Sequence, residues 1–321
     1  MRIIVTGGAG FVGSNLVHHL VRRGEEVGVI DGFVEGSGAN QMNLEGFRGE
    51  VLKANILAPQ EYSSFLKGVD AVVHLAGHVS HVDSMVDPIY DLEQNALGTL
   101  RLLWAVEEHA PEALFVYGGT RGQYGIVPHP PATPESALYP TDIYGVNKTA
   151  GEQYGMVLSR TGRLRACSLR FTNAYGPRHQ MKHGKWGILN WFLRLAMDDR
   201  ELTVYGTGSQ LREYAYIEDI VRAFSAAVRA GADVMNGRIL NLGAPVRVSF
   251  RKMAEEVVGA AGKGRVTTIP WPSDRKAIEV GDFVSEDSDA RALLSWEPIV
   301  GLQEGLAKTV AFYKERQESY W

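Results

Sequence analysis

The stretch MRIIVTGGAGFVGS, residues 1–14, decides the fold. Its β-branched run at Ile3–Val5 has the composition of a fully buried strand, and a glycine turn follows at once. Gly7, Gly10 and Gly13 are spaced G-x-x-G-x-x-G, and the residues after them, FVGSNLVHHLVRRG, carry the apolar periodicity of a helix. Glycines in such a turn let the backbone approach a pyrophosphate and let helix and strand pack closely, while the helix N-terminus supplies amide donors and positive potential. Asp31 closes the next apolar run, VGVID, twenty-one positions beyond Gly10. A carboxylate there accepts hydrogen bonds from an adenosine ribose diol and repels a 2′-phosphate, which predicts NAD rather than NADP.

Outward from this unit, short apolar runs alternate with helical patterns: DAVVHLAG, a helix from about Tyr90 to His109, ALFVY, and LRACSLRF. Continuous apolar strands alternating with helices predict an α/β chain built on a doubly wound parallel sheet of the Rossmann type, covered on both faces. Beyond RFTNAYGP the alternation fades, and the last seventy or so residues read as a smaller α+β region. The expected division is residues 1–176 plus 214–246 for the dinucleotide and 177–213 plus 247–321 for the substrate. The functional crevice is expected between them, beyond the carboxyl ends of the strands.

The 321 residues carry 33 basic and 37 acidic side chains, a net charge of −4, so neither nucleic acid nor an anionic membrane surface is an expected partner. No apolar run approaches the roughly 20 residues that cross a bilayer, and the N-terminus has no leader pattern. A cytoplasmic protein is expected. The one cysteine, Cys167, reads as a core residue. His74, His78 and His81 have a spacing that a metal would tolerate, but His74 ends a strand and no metal is expected.

Further on, DIYGVNKTAGEQ sets Tyr144 and Lys148 four residues apart, one helical turn on a single face. With TGGAGFVGS, HLAG, NALGTLRLL from Asn95, RFTNAYGP, QLREYAYIEDI and LLSWEPIVGLQEGL in this order, the chain resembles the extended short-chain dehydrogenase/reductase family along nearly its whole length, and within it the nucleotide-sugar epimerases and dehydratases. The resemblance implies a catalytic triad of Thr120, Tyr144 and Lys148. It implies an NAD site of Gly7, Gly10, Phe11, Val12, Gly13, Asp31, Asn55, Ile56, Leu75, Ala76 and Asn95 together with Tyr144 and Lys148. It implies a nucleotide-diphosphate sugar near Ser80, His81, Ser84, Arg121, Asn173, Arg212 and Arg275, and a homodimer packed through the helices near 90–109 and 142–160.

The chemistry suits those residue types. An ammonium beside a tyrosine favours the phenolate; Tyr144 then takes a proton from a sugar hydroxyl as carbon-bound hydrogen leaves as hydride to NAD, and Thr120 holds the oxygen. In the related 4,6-dehydratases an Asp–Glu pair follows the threonine, and in the uronic acid decarboxylases a glutamate does. Here YGGTRGQYG places Arg121 and Gly122 there, neither able to serve as a carboxylate. Epimerisation, most simply at C4, is therefore expected. Epimerisation at C2 or of a uronic acid, keto-sugar reduction, and dehydration or decarboxylation stay open, as does a non-catalytic NAD sensor. Arg121 either meets a substrate carboxylate or braces its loop, with the brace preferred.

Overall fold

In the computed structural model, which describes residues 1–321 except at positions 274 and 277, twelve strands follow in order. They are β1 (Arg2–Thr6), β2 (Glu26–Asp31), β3 (Val51–Lys53), β4 (Ala71–His74), β5 (Leu114–Thr120), β6 (Arg165–Phe171), β7 (Asn173–Tyr175), β8 (Glu201–Tyr205), β9 (Leu211–Tyr216), β10 (Ile239–Leu242), β11 (Arg247–Ser249) and β12 (Arg265–Ile269). Seven of them make one parallel sheet in the order β10-β6-β5-β4-β1-β2-β3. The order reverses at β1, where chain direction along the sheet changes, so the crevice beyond the carboxyl ends of β1 and β4 is the switch point at which such sheets take ligands.

Burial explains the composition of these strands. Ile3, Ile4, Val5, Val72, Val73, Val116 and Cys167 are wholly buried between helical layers, so the central strands read as near-continuous apolar runs, while on β6 the buried Ser168 and Arg170 are paired with Glu152. Helix Phe11–Arg22 packs on one side with Leu16, Val17 and Leu20 buried, and Gly98–His109 buries Leu102, Leu103 and Val106 on the other. That second helix is preceded by Pro88–Leu92 and a single π turn, Glu93–Leu97, which carries Asn95 inward. The widened turn lies inside the helix expected near 90–109.

Beyond β6 the chain builds two small sheets, β11-β9-β7 and β12-β8. Helix Ile217–Ala230 returns against Phe11–Arg22 and leads to β10, which completes the large sheet. The last residues come back to the first loop. Tyr320 donates its hydroxyl to Asn43 Oδ1 at 2.6 Å, and Asn43 Nδ2 donates to the Ala9 carbonyl at 2.9 Å, within the glycine turn. No helix among the described residues is long and apolar enough to cross a membrane.

Candidate active site

A cavity of about 530 Å³ opens beyond the carboxyl ends of β1, β4 and β5, and its wall runs from the glycine turn to Tyr214. At one end, Gly7 has φ +68°, and a Cβ there would stand 2.7 Å from the Ala76 nitrogen. A Cβ on Gly13 would fall 2.1 Å from the Gly7 carbonyl oxygen, so the turn closes only without side chains at these two positions. No side chain caps helix Phe11–Arg22 at Gly10, and its first turn holds no acidic residue. Its leading amides are thus left for an anion in the cavity.

Asp31 lies across from the turn at the end of β2. Its Oδ2 accepts from the Ala9 amide and its Oδ1 from the Phe33 amide, each at 2.9 Å. Burial pushes its carboxyl up despite these two bonds, and each oxygen keeps a further acceptor site for a sugar hydroxyl. Asn55, Ile56, Leu75 and Ala76 complete this end of the wall. Asn55 turns its own Oδ1 to the Leu57 amide at 2.9 Å. Asn95 does not line the cavity; it stands behind Gly77, donates to the His78 carbonyl at 2.9 Å, and leaves a buried Oδ1 with no partner among the described residues. A glycine cradle, uncapped amides and a ribose-height carboxylate together fit a dinucleotide.

At the other end stand Thr120, at the tip of β5, and Tyr144 and Lys148, on helix Ile143–Arg160. Asp142 caps that helix, accepting from the Gly145 amide at 2.8 Å, which fixes the first turn and with it Tyr144. Burial pushes the Tyr144 phenol well above its ordinary range, opposed by a hydrogen bond from Thr120; Asp142 and Asp91 push the same way as burial. Burial pulls the Lys148 ammonium down to about 8 against the charges of Glu152 and Asp91. The ammonium stands 4.2 Å above the Tyr117 ring rather than pairing with Tyr144.

The expected substrate residues divide. His81, Arg121 and Asn173 line the cavity. His81 Nδ1 lies 2.6 Å from Asp142 Oδ2, and its ring meets the Tyr144 ring edge to face at 5.0 Å. Ser80 and Ser84 are wholly buried and outside the wall: Ser80 caps its helix by accepting from the Asp83 amide, and the Ser84 hydroxyl donates to the His81 carbonyl. Arg212 is drawn away to Glu279 and the Gly281 carbonyl. Arg275 lies on the short helix Ser273–Ala277, away from the wall. His74 is a core residue, its ring nitrogens bonded to Thr6 and Thr99 at 2.8 and 2.9 Å.

Sequence reasoning missed Tyr214, which lines the cavity and whose buried hydroxyl has no hydrogen-bond partner among the described residues. The signal was present: in the strand LREYAY, Tyr214 lies two residues beyond Arg212 and shares its face.

The family model for the NAD dependent epimerase/dehydratase family matches residues 3–243. The chain belongs to that family. It is 31% identical to a UDP-glucose 4-epimerase of Mycolicibacterium smegmatis, across 99% of this chain and all of the relative. It is 30% identical to UDP-glucuronic acid decarboxylase 1 of Xenopus tropicalis, across 99% of this chain and 73% of the relative. The crystal structure of a UDP-glucose 4-epimerase from Thermotoga maritima with UDP-glucose superposes with a TM-score of 0.88 at 28% identity, covering 99% of this chain and all of that one. This member of the family is therefore an NAD-dependent enzyme of nucleotide-sugar chemistry, and NAD is the group that the glycine cradle and Asp31 fit.

Proposed function

We propose that the protein inverts one carbon, C4, of the sugar in a nucleotide-diphosphate sugar, working in the cytoplasm. The observation that carries this reading is the grouping of Thr120, Tyr144 and Lys148 at one end of the cavity with Arg121 and Gly122, not carboxylates, as the next two residues. NAD held on the glycine cradle supplies the acceptor for the carbon-bound hydrogen and later returns it. Tyr144, as phenolate, takes the proton of the C4 hydroxyl, and the Thr120 hydroxyl donates to the same oxygen. C4 becomes a carbonyl. When hydrogen returns to the opposite face, Tyr144 gives the proton back, and the alcohol is re-formed with inverted configuration. Lys148 keeps a positive charge behind the phenol, and Phe11, Val12, Leu75 and Ala76 screen the dinucleotide from water.

On the substrate side this reading keeps His81, Arg121 and Asn173 and adds Tyr214. Arg212 joins them only by releasing Glu279.

One observation favours a second reading. The hydrogen-bonded His81–Asp142 pair stands against Tyr144 on the cavity wall, and such a pair can carry a proton in a dehydration that Arg121 and Gly122 cannot serve. Incubating the protein with UDP-, GDP-, dTDP- and CDP-sugars and resolving the products by NMR separates the two. A stereoisomer of unchanged mass supports epimerisation; a product lighter by water or carbon dioxide rejects it.

The exposed apolar side chains Leu92, Trp104 and Val146 lie on the helices expected to form a dimer, and exposed Val86 and Ile89 just precede the first of them. A homodimer through that face follows in the same proposal, and light scattering on a sizing column tests it.

A further inference from the structure

Arg121 carries a charge into the cavity without an ion-pair partner among the described residues. Its side chain is half-buried, and burial pulls the guanidinium down to about 10, which leaves it protonated at neutral pH. Its Nε donates to Asn173 Oδ1 at 2.9 Å, and its plane lies 5.8 Å from the centre of the Phe283 ring. Those two contacts fix the stem and the orientation of the fork. Neither neutralises it: among the described residues no carboxylate lies within ion-pairing distance of Arg121, and the terminal nitrogens make no hydrogen bond. The nearest acids are already engaged, Asp142 by His81 and Glu279 by Arg212.

Tyr214 lines the same cavity, its hydroxyl buried and without a hydrogen-bond partner among the described residues; burial raises its phenol, opposed by the charges of Arg212 and then Arg121. A half-buried cation and a buried hydroxyl left unpaired in one wall each carry a desolvation cost, and a ligand that supplies an acceptor to both removes it. A planar carboxylate matches an arginine fork with two parallel bonds. A sugar hydroxyl offers no charge to meet it.

Position decides where on the substrate that carboxylate sits. Arg121 follows Thr120 directly in the chain, and Thr120, Arg121 and Tyr144 line the same cavity. The fork therefore adjoins the end of the cavity where the sugar reacts. We propose that Arg121, with Tyr214, is a carboxylate-binding site, and that the sugar of the substrate is a uronic acid bearing its carboxylate on the carbon beside the reacting one. This rests on the nucleotide-sugar reading above and narrows it.

The substrate's diphosphate is the other anion that the fork could meet, and the test separates the two. Calorimetric titration of the NAD-loaded protein with two pairs, UDP-glucuronate against UDP-glucose and GDP-mannuronate against GDP-mannose, is expected to show the acid binding at least about tenfold tighter in one pair. Arg121→Gln is expected to abolish that preference, weakening the acid at least about tenfold more than its neutral partner, and Tyr214→Phe, which keeps the ring and the packing, to reduce it. Neutral sugars binding as tightly as their acids in both pairs, or neither acid binding at millimolar concentration, overturns the inference. So does an Arg121→Gln protein that weakens acid and neutral sugar equally, the result for a diphosphate contact or a loop brace. NMR of the same mixtures reports turnover separately, so an acid that binds through Arg121 without being epimerised sinks the reaction and not the binding site.

Discussion

The Lys148 ammonium stands 4.2 Å from the centre of the Tyr117 ring, and the Tyr117 hydroxyl donates to the Lys148 carbonyl at 3.1 Å. Tyr117 thus holds the lysine from two directions, at the head through its π face and at the backbone through a hydrogen bond. With the charge so anchored, Lys148→Met removes the positive field behind Tyr144 without opening a large void. Turnover of the accepted nucleotide sugar is expected to fall at least about 100-fold. A variant retaining a tenth of wild-type kcat would show that Lys148 has no part in the chemistry.

Tyr144→Phe deletes one oxygen and leaves the ring against His81. The expected loss in turnover is about 10²- to 10⁴-fold, the range for removal of a general base, with the far-ultraviolet circular dichroism and the amount of bound NAD unchanged. Substantial residual epimerisation would assign the proton transfer to another group, His81 being the first to test.

Asp31 presents both carboxylate oxygens to the cavity rim while two backbone amides hold it still. A 2′-phosphate brought against it meets like charge. NAD is expected to bind at least about tenfold tighter than NADP, measured by fluorescence titration. Equal affinities would mean that the ribose end lies elsewhere.

Gly13 and Gly10 differ in what a methyl group would strike. At Gly13 it falls 2.1 Å from the Gly7 carbonyl oxygen, and at Gly10 it reaches only 3.2 Å from the same atom. Gly13→Ala is expected to cost about 1–3 kcal/mol of stability and to lose retained NAD, whereas Gly10→Ala folds with a smaller penalty. Thermal melts of both variants, with and without NAD, check the contrast; equal melting points would reject it.

Glu213 gives stability a pH dependence of its own. Burial raises its carboxyl to about 7 from 4.5, although Ser285 donates to it through both its amide and its hydroxyl. Between those two values the native state holds a proton that the unfolded chain has released. The contribution is therefore full below about pH 4.5 and is lost as pH rises through 7, amounting to about 3 kcal/mol at most. In urea unfolding, Glu213→Gln is expected to lose less stability than wild type between pH 5 and 8. An identical loss would place the titration on other groups.

Much of this arrangement was legible because it depends on neighbours in sequence. The strand, the glycine spacing, Asp31 and the helical interval between Tyr144 and Lys148 are local patterns, and the cavity gathers them along its wall. What escaped depends on partners chosen across the fold. Nothing near Arg212 in the chain reveals that Glu279 will engage it, sixty-seven residues on. Ser80 and Ser84 sit beside a cavity residue, yet their hydroxyls serve the helix that presents it. The position of Lys148 over Tyr117 follows from how β5 packs on helix Ile143–Arg160, which no spacing encodes. Tyr214 is the intermediate case, readable from the alternation of its strand but not from any motif.

The bond from Tyr320 to Asn43, and from Asn43 to the turn carbonyl of Ala9, has a consequence for the order of events at the ribosome. Asn43 and Tyr320 are separated by 277 positions. At about 5–20 residues per second, synthesis of that interval takes roughly 15 to 55 s. During this time the glycine turn has emerged without its rear support, and the large sheet still awaits β10. The nascent chain therefore passes through a long interval in which the dinucleotide cradle is written but not yet braced, and that brace forms only once Tyr320 has been added.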